Sequence, residues 1–144
     1  MFANPPLDAI AQLLRGARII AVIGLSADRT RPSHGVARAM QRFGYRVIPV
    51  TPVAEFILGE PAVATLDQLP EVLGQDEQVD IVDVFRRPEH VPGIVSDCIR
   101  LRLPALWLQQ SVVDAAAAQR AAAAGIFTVM DRCIFHERAT LRGE

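Results

Sequence analysis

Residues 18–43 read RIIAVIGLSADRTRPSHGVARAMQRF, and the fold follows from taking them as strand, turn and helix. Ile19, Ile20, Val22 and Ile23 are a nearly unbroken β-branched run, which suits a parallel strand buried on both faces. Gly24 ends the strand. The turn from Leu25 to Pro32 carries Ser26, Asp28, Arg29, Thr30 and Arg31, and Ser33 offers a helix N-cap. Val36, Met40 and Phe43 then recur at i, i+4, i+7, with Gly44 in the C′ position. Such a unit aims backbone N–H groups and a helix N-terminus at one point beyond the strand, where an anion is favoured.

The turn lacks the dinucleotide fingerprint. GxGxxG would need glycines two and five places after Gly24, and the chain has Ser26 and Arg29 there. Any polar βα turn of an α/β protein would share the remaining pattern, so the stretch points to phosphate without naming a ligand.

Working outward, Leu7, Ile10 and Leu14 predict a short amphipathic helix behind Pro5 and Pro6, ending at Gly16. Tyr45–Val50 reads as a second strand stopped by Pro49, Thr51 and Pro52. A nicotinamide-binding domain would place an acid near its end to hold the ribose. The first acid here is Glu55, which argues against NAD. Residues 56–78 are irregular around a short helix at Leu66–Leu73. Val79–Phe85 is a third strand, whose Asp80 and Asp83 lie three apart and cannot pair as acid and base. Val91, Ile94, Val95, Cys98 and Leu101 form the inner face of a helix. Ala105–Leu108, the alanine helix from Asp114 to Gly125, the strand Ile126–Met130 and a closing helix through Leu141 complete the chain. The expectation is one α/β domain over residues 1–144: a Rossmann-like, doubly wound parallel sheet with helices on both faces.

Composition narrows the function. All fifteen basic residues are arginine. With no lysine, Schiff-base chemistry and Walker-type NTP hydrolysis are excluded. A net charge of −1 does not suit nucleic-acid wrapping. No apolar run approaches the ~20 residues of a membrane span. Cys98 and Cys133 are too few for a disulfide framework, which predicts free thiols and a cytoplasmic protein.

The residues after each strand are Arg29 and Arg31, Thr51 and Pro52, Arg86 and Arg87, Gln109 to Ser111, and Arg132. Five arginines on one rim predict a ligand with several negative charges, and two of the five are expected to pair with Asp28, Asp83 or Asp131. The histidines lack catalytic partners, though His34 is placed to help a phosphate. Cys133, at a helix start beside Arg132, is a candidate reactive thiol.

In order, VIGLSADRTRPSHGVA, GYRVIPVTP, VDIVDVFRRPE, LWLQ and VMDRCI resemble the small CoA-binding family of Rossmann-like proteins, related to the amino-terminal domain of the succinyl-CoA synthetase alpha subunit. The resemblance covers nearly the whole chain. It implies that coenzyme A lays its phosphates over Gly24, Leu25 and Ser26 and over Arg31, Pro32 and Ser33. Pro52, Phe85 and Arg86 would line the crevice, with Trp107 to Gln109 and Met130 to Cys133 along the remaining rim. The synthetase's second domain, with its phosphorylated histidine, has no counterpart here, so the resemblance implies binding of CoA or acyl-CoA rather than ligation. Alternatives are a compact NAD(P)-dependent oxidoreductase using Glu55, and a redox module in which Cys133 forms a mixed disulfide with CoA. A homo-oligomer or a partner enzyme remains compatible with the sequence.

Overall fold

The computed structural model describes residues 1–141, so the last three residues of the expected 1–144 domain lie outside it. Strand β1 (Ile19–Ile23) is central and fully buried. Its side chains alternate between two cores: Ile19, Ala21 and Ile23 enter one, Ile20 and Val22 the other. That is why the run is continuously apolar.

Five parallel strands form the sheet: β1, β2 (Arg46–Val50), β5 (Ile81–Val84), β6 (Ala105–Leu108) and β7 (Phe127–Met130), in the order β2-β1-β5-β6-β7. One face is covered by α1 (Leu7–Gly16), α2 (Pro32–Arg42) and α5 (Ile134–Ala139), through Ile10, Leu14, Ala37, Met40 and Ile134. The other is covered by α3 (Val91–Arg100) and α4 (Ala115–Ala123), through Val91, Val95, Cys98, Ala118 and Ala121. Each fully buried Ile, Leu or Val contributes on the order of 1.5–3 kcal/mol. Connections therefore leave β1 over one face and β5 over the opposite face, and the direction of strand order reverses between them.

Several elements differ from expectation. β2 runs through Pro49 instead of stopping at it, because β2 is an edge strand and Pro49 turns its missing N–H outward. On that side its carbonyl accepts the Val63 N–H at 3.0 Å, and Thr51 N–H donates back to Val63 O at 2.8 Å. A small hairpin, β3 (Phe56–Ile57) with β4 (Glu60–Pro61), sits in the stretch read as irregular. The short helix expected at Leu66–Leu73 is present as a 3₁₀ helix over Leu66–Glu71, containing Pro70 and ending two residues earlier. Ser33 lies inside α2, where Arg31 takes the N-cap position and Pro32 follows it. Leu7 is exposed, while Ile10 and Leu14 are buried as expected.

Two side chains finish the sheet. Asp80 Oδ2 accepts the Arg18 and Ile19 N–H groups at 2.8 and 3.0 Å, tying β5 to the start of β1. At the far edge the Asn4 amide pairs both ways with Met130, donating to its carbonyl at 2.9 Å and accepting its N–H at 2.7 Å. It stands in for one residue of a neighbouring strand and closes part of the β7 edge. Among the described residues no helix is long and apolar enough to cross a membrane.

Candidate functional site

The loop joining β1 to α2 is folded by its own side chains. Ser33 Oγ accepts the Ser26 N–H at 3.0 Å, Ser26 Oγ accepts the Asp28 N–H at 3.0 Å, and Asp28 Oδ1 accepts both the Thr30 N–H at 2.9 Å and the Thr30 hydroxyl at 2.7 Å. The Thr30 hydroxyl, the Thr30 N–H and the nearby Arg31 charge together hold the Asp28 carboxyl below its ordinary range. His34 Nδ1 lies 2.9 Å from Ser26 O. A carbonyl only accepts, so Nδ1 carries the proton and the buried His34 acts as a clamp beneath the loop.

Gly24 is where strand and loop meet the neighbouring strand. Its φ is +84°, and a Cβ there would lie 2.4 Å from Phe85 O and 2.9 Å from Arg86 Cδ. Only glycine lets the ends of β1 and β5 come together in this way.

A cavity of about 870 Å³ opens above this junction. Its floor and near wall come from Gly24, Ser26, Arg31, Pro32, Ser33 and Val36. Its middle comes from Phe85, Arg86, Arg87 and Pro88, and its far wall from Gln109, Gln110, Ser111, Val112 and Cys133. The cavity thus collects residues that follow β1, β5, β6 and β7, at the reversal of strand order where open α/β sheets take ligands.

Of the residues anticipated from sequence, Gly24, Ser26, Arg31, Pro32, Ser33, Phe85, Arg86, Arg87, Gln109, Gln110, Ser111 and Cys133 meet here. Others are placed elsewhere. Leu25 is 1% exposed and Trp107 is 0% exposed, both in the core beneath α1, α2 and α5. Trp107 Nε1 donates to Arg132 O at 2.8 Å. Pro52 is exposed on the turn after β2 and Met130 is held by Asn4; neither lines the cavity. Arg132 turns its side chain into a groove between α1 and α5, with its Nη1 3.5 Å from a Glu137 oxygen. It therefore does not stand beside the Cys133 thiol as the rim reading supposed.

Val36, read from sequence only as part of a helical face, also lines the cavity, as do Pro88 and Val112, whose only signal in sequence is adjacency to a polar turn. Glu55 is exposed at the start of the hairpin and is absent from the cavity lining, so nothing there takes the place of a ribose-holding acid.

The cavity cations are available to a ligand. The Arg31 guanidinium makes no hydrogen bond or ion pair among the described residues, whereas Arg87 lies 3.9 Å from Glu89, both well exposed. Arg86 Nη2 donates to His90 Nε2 at 3.1 Å, which requires that nitrogen to be unprotonated. Two of the five rim arginines, Arg87 and Arg132, have glutamate partners, not the aspartates anticipated.

Comparisons with known proteins bear on the family and the fold. The profile of a family described as "CoA binding domain" matches residues 18–139. "Uncharacterized protein YneT" of Bacillus subtilis is 39% identical over 131 residues, covering 91% of this chain and 93% of its own. A solved structure from Thermus thermophilus, cell-free ID.343, superposes with a TM-score of 0.86 at 36% identity, covering 95% of this chain and 99% of the other. The dinucleotide-forming acetyl-coenzyme A synthetase 1 of Ca. Korarchaeum cryptofilum has a TM-score of 0.63 at 19% identity, covering 76% of this chain and 25% of its own. That last likeness is one of fold alone.

Proposed function

Because the chain belongs to the CoA binding domain family, we propose that it binds coenzyme A, free or acylated, in the cavity above the carboxyl ends of β1, β5 and β6. The carrying observation is the pairing of a prefolded β1–α2 loop with the uncommitted Arg31 guanidinium on the same wall. A diphosphate satisfies both, through loop N–H groups and a charge-assisted contact. Arg86 and Arg87 offer charge to a ribose phosphate. Phe85, Val36 and Val112 supply the apolar surface that an adenine or a pantetheine chain requires. The reading is one of binding, in the cytoplasm, where unpaired thiols suit the redox state.

Isothermal titration with CoA, dephospho-CoA and NADH at low and moderate salt tests it. CoA binds in the micromolar range and weakens as salt rises, dephospho-CoA binds less tightly, and NADH gives no heat. Arg31→Ala weakens CoA by about tenfold, the worth of one charge-assisted hydrogen bond, and flattens the salt dependence. NADH binding as tightly as CoA, or CoA binding indifferent to Arg31, would overturn the proposal.

A further inference from the structure

Two residues on the far wall, Gln109 and Cys133, are left over once the phosphates are accounted for. Gln109 is 4% exposed yet lines the cavity. Its Oε1 accepts the Ile134 N–H at 2.9 Å, which fixes the amide the right way round. Nε2 is then the end that remains, and it has no partner among the described residues. A nearly buried amide with two idle donors on a cavity wall is built to meet an acceptor. Cys133, the residue before Ile134, is a half-buried free thiol on the same wall. The other cysteine, Cys98, is sealed in the core, where burial pushes its thiol up to about 12.

The juxtaposition matches one end of CoA. Its sulfur is joined through two methylenes to an amide, so a carbonyl acceptor and a sulfur arrive together. Resting on the CoA reading above, we propose that Gln109 Nε2 holds that carbonyl and presents the sulfur to Cys133, making Cys133 a thiol–disulfide exchange site for CoA disulfide. The Cys133 thiolate, its proton given to solvent, attacks one sulfur of CoA disulfide. The Cys133–CoA bond forms as the CoA–CoA bond breaks, and the departing CoA thiolate takes up a proton. One disulfide replaces another, so no further oxidant is needed. Attack by a free thiol on the mixed disulfide restores Cys133. The nucleotide end supplies the selectivity, because binding raises the local concentration of the reacting sulfur.

The test incubates the whole protein with CoA disulfide or glutathione disulfide and follows intact mass without reductant, with calorimetric titration of CoA alongside. One CoA adduct forms about tenfold or more faster than the glutathione adduct, as expected for a bound reactant. Desulfo-CoA, which has the phosphates but no sulfur, slows it; dithiothreitol reverses it; Cys133→Ser abolishes it. Gln109→Glu keeps an acceptor for the Ile134 N–H, loses the amide donors and slows the adduct several-fold. Equal rates with the two disulfides, indifference to desulfo-CoA, or an adduct on Cys98 would overturn the exchange. So would an acyl adduct from acetyl-CoA with none from CoA disulfide. CoA binding without any adduct removes the exchange and leaves the parent reading standing, whereas absence of CoA binding removes the parent reading itself.

Discussion

Asp83 shows how far one carboxyl can be placed from its ordinary chemistry. It sits in the middle of β5, paired in register with Val22 and Trp107, and is 1% exposed. Its Oδ1 has no hydrogen-bond partner among the described residues. Burial pushes this carboxyl well above the usual range, only partly offset by a contact with the Val84 backbone. A raised folded value means that the native state holds the proton while the unfolded chain has released it. The contribution to stability is full below the unfolded value, about 3.9, and falls as pH rises towards the folded value. Each pH unit in that window costs about 1.4 kcal/mol. Urea unfolding at a series of pH values from 4 to 8 should show this decline in the parent and a flatter profile in Asp83→Asn. An unchanged slope would remove Asp83 as its source. The sequence places Asp83 in the third strand and offers it as an arginine partner, but burial within the sheet leaves its Oδ1 with none among the described residues. Nor does it reveal which way Arg132 faces, since a residue just past a strand has no periodicity to fix its direction.

Among the elements, the β1–α2 loop is the one whose order precedes any ligand. Three short side chains, Ser26, Asp28 and Ser33, each satisfy a backbone N–H within the same loop, leaving little conformational freedom to lose on binding. Ser33→Ala frees the Ser26 N–H while leaving α2 intact. It should lower unfolding free energy by about 1 kcal/mol and weaken CoA several-fold, measured by urea titration and calorimetry on the same preparation. Loss of stability with unaltered affinity would separate the loop from the ligand. Helices with a clear period, such as α1, α2 and α3, and the unbroken apolar run of β1 were legible in the sequence. The β3–β4 hairpin was not, because strands of two residues have no period to read. Pro49 misled for a definable reason. It ends a strand only where its N–H is needed, and which strand lies at the edge is a property of the assembled sheet.

Over the whole molecule, charge is arranged rather than merely balanced. Away from the cavity, Arg46 bridges Glu60 and Glu77, and Arg100 bridges Asp67 and Asp97; at the cavity, Arg31 has no such partner. Of the five arginines read as one rim, Arg31, Arg86 and Arg87 line the cavity and Arg29 and Arg132 do not, because position after a strand does not fix side-chain direction. A second network joins the layer that carries α5. Arg138 Nε donates to the Tyr45 hydroxyl at 3.0 Å, its guanidinium stacks 4.6 Å above the Phe43 ring, and the Tyr45 hydroxyl donates to Leu14 O. Arg138 of α5 thus touches the ends of α2 and β2 directly and reaches α1 through the Tyr45 hydroxyl. Arg138→Ala should therefore lower unfolding free energy by about 1–2 kcal/mol, with Arg138→Lys recovering only part because it lacks the planar fork. Equal stability of the two variants would reduce the network to simple charge. Trp107 occupies the same layer, and its indole N–H is tied to the carbonyl of the residue immediately before Cys133. The chain has no second tryptophan. Any event that shifts the Cys133 backbone is thus wired to the sole indole, which can be excited apart from Tyr45, giving the molecule an intrinsic optical readout of its own cavity with no label attached.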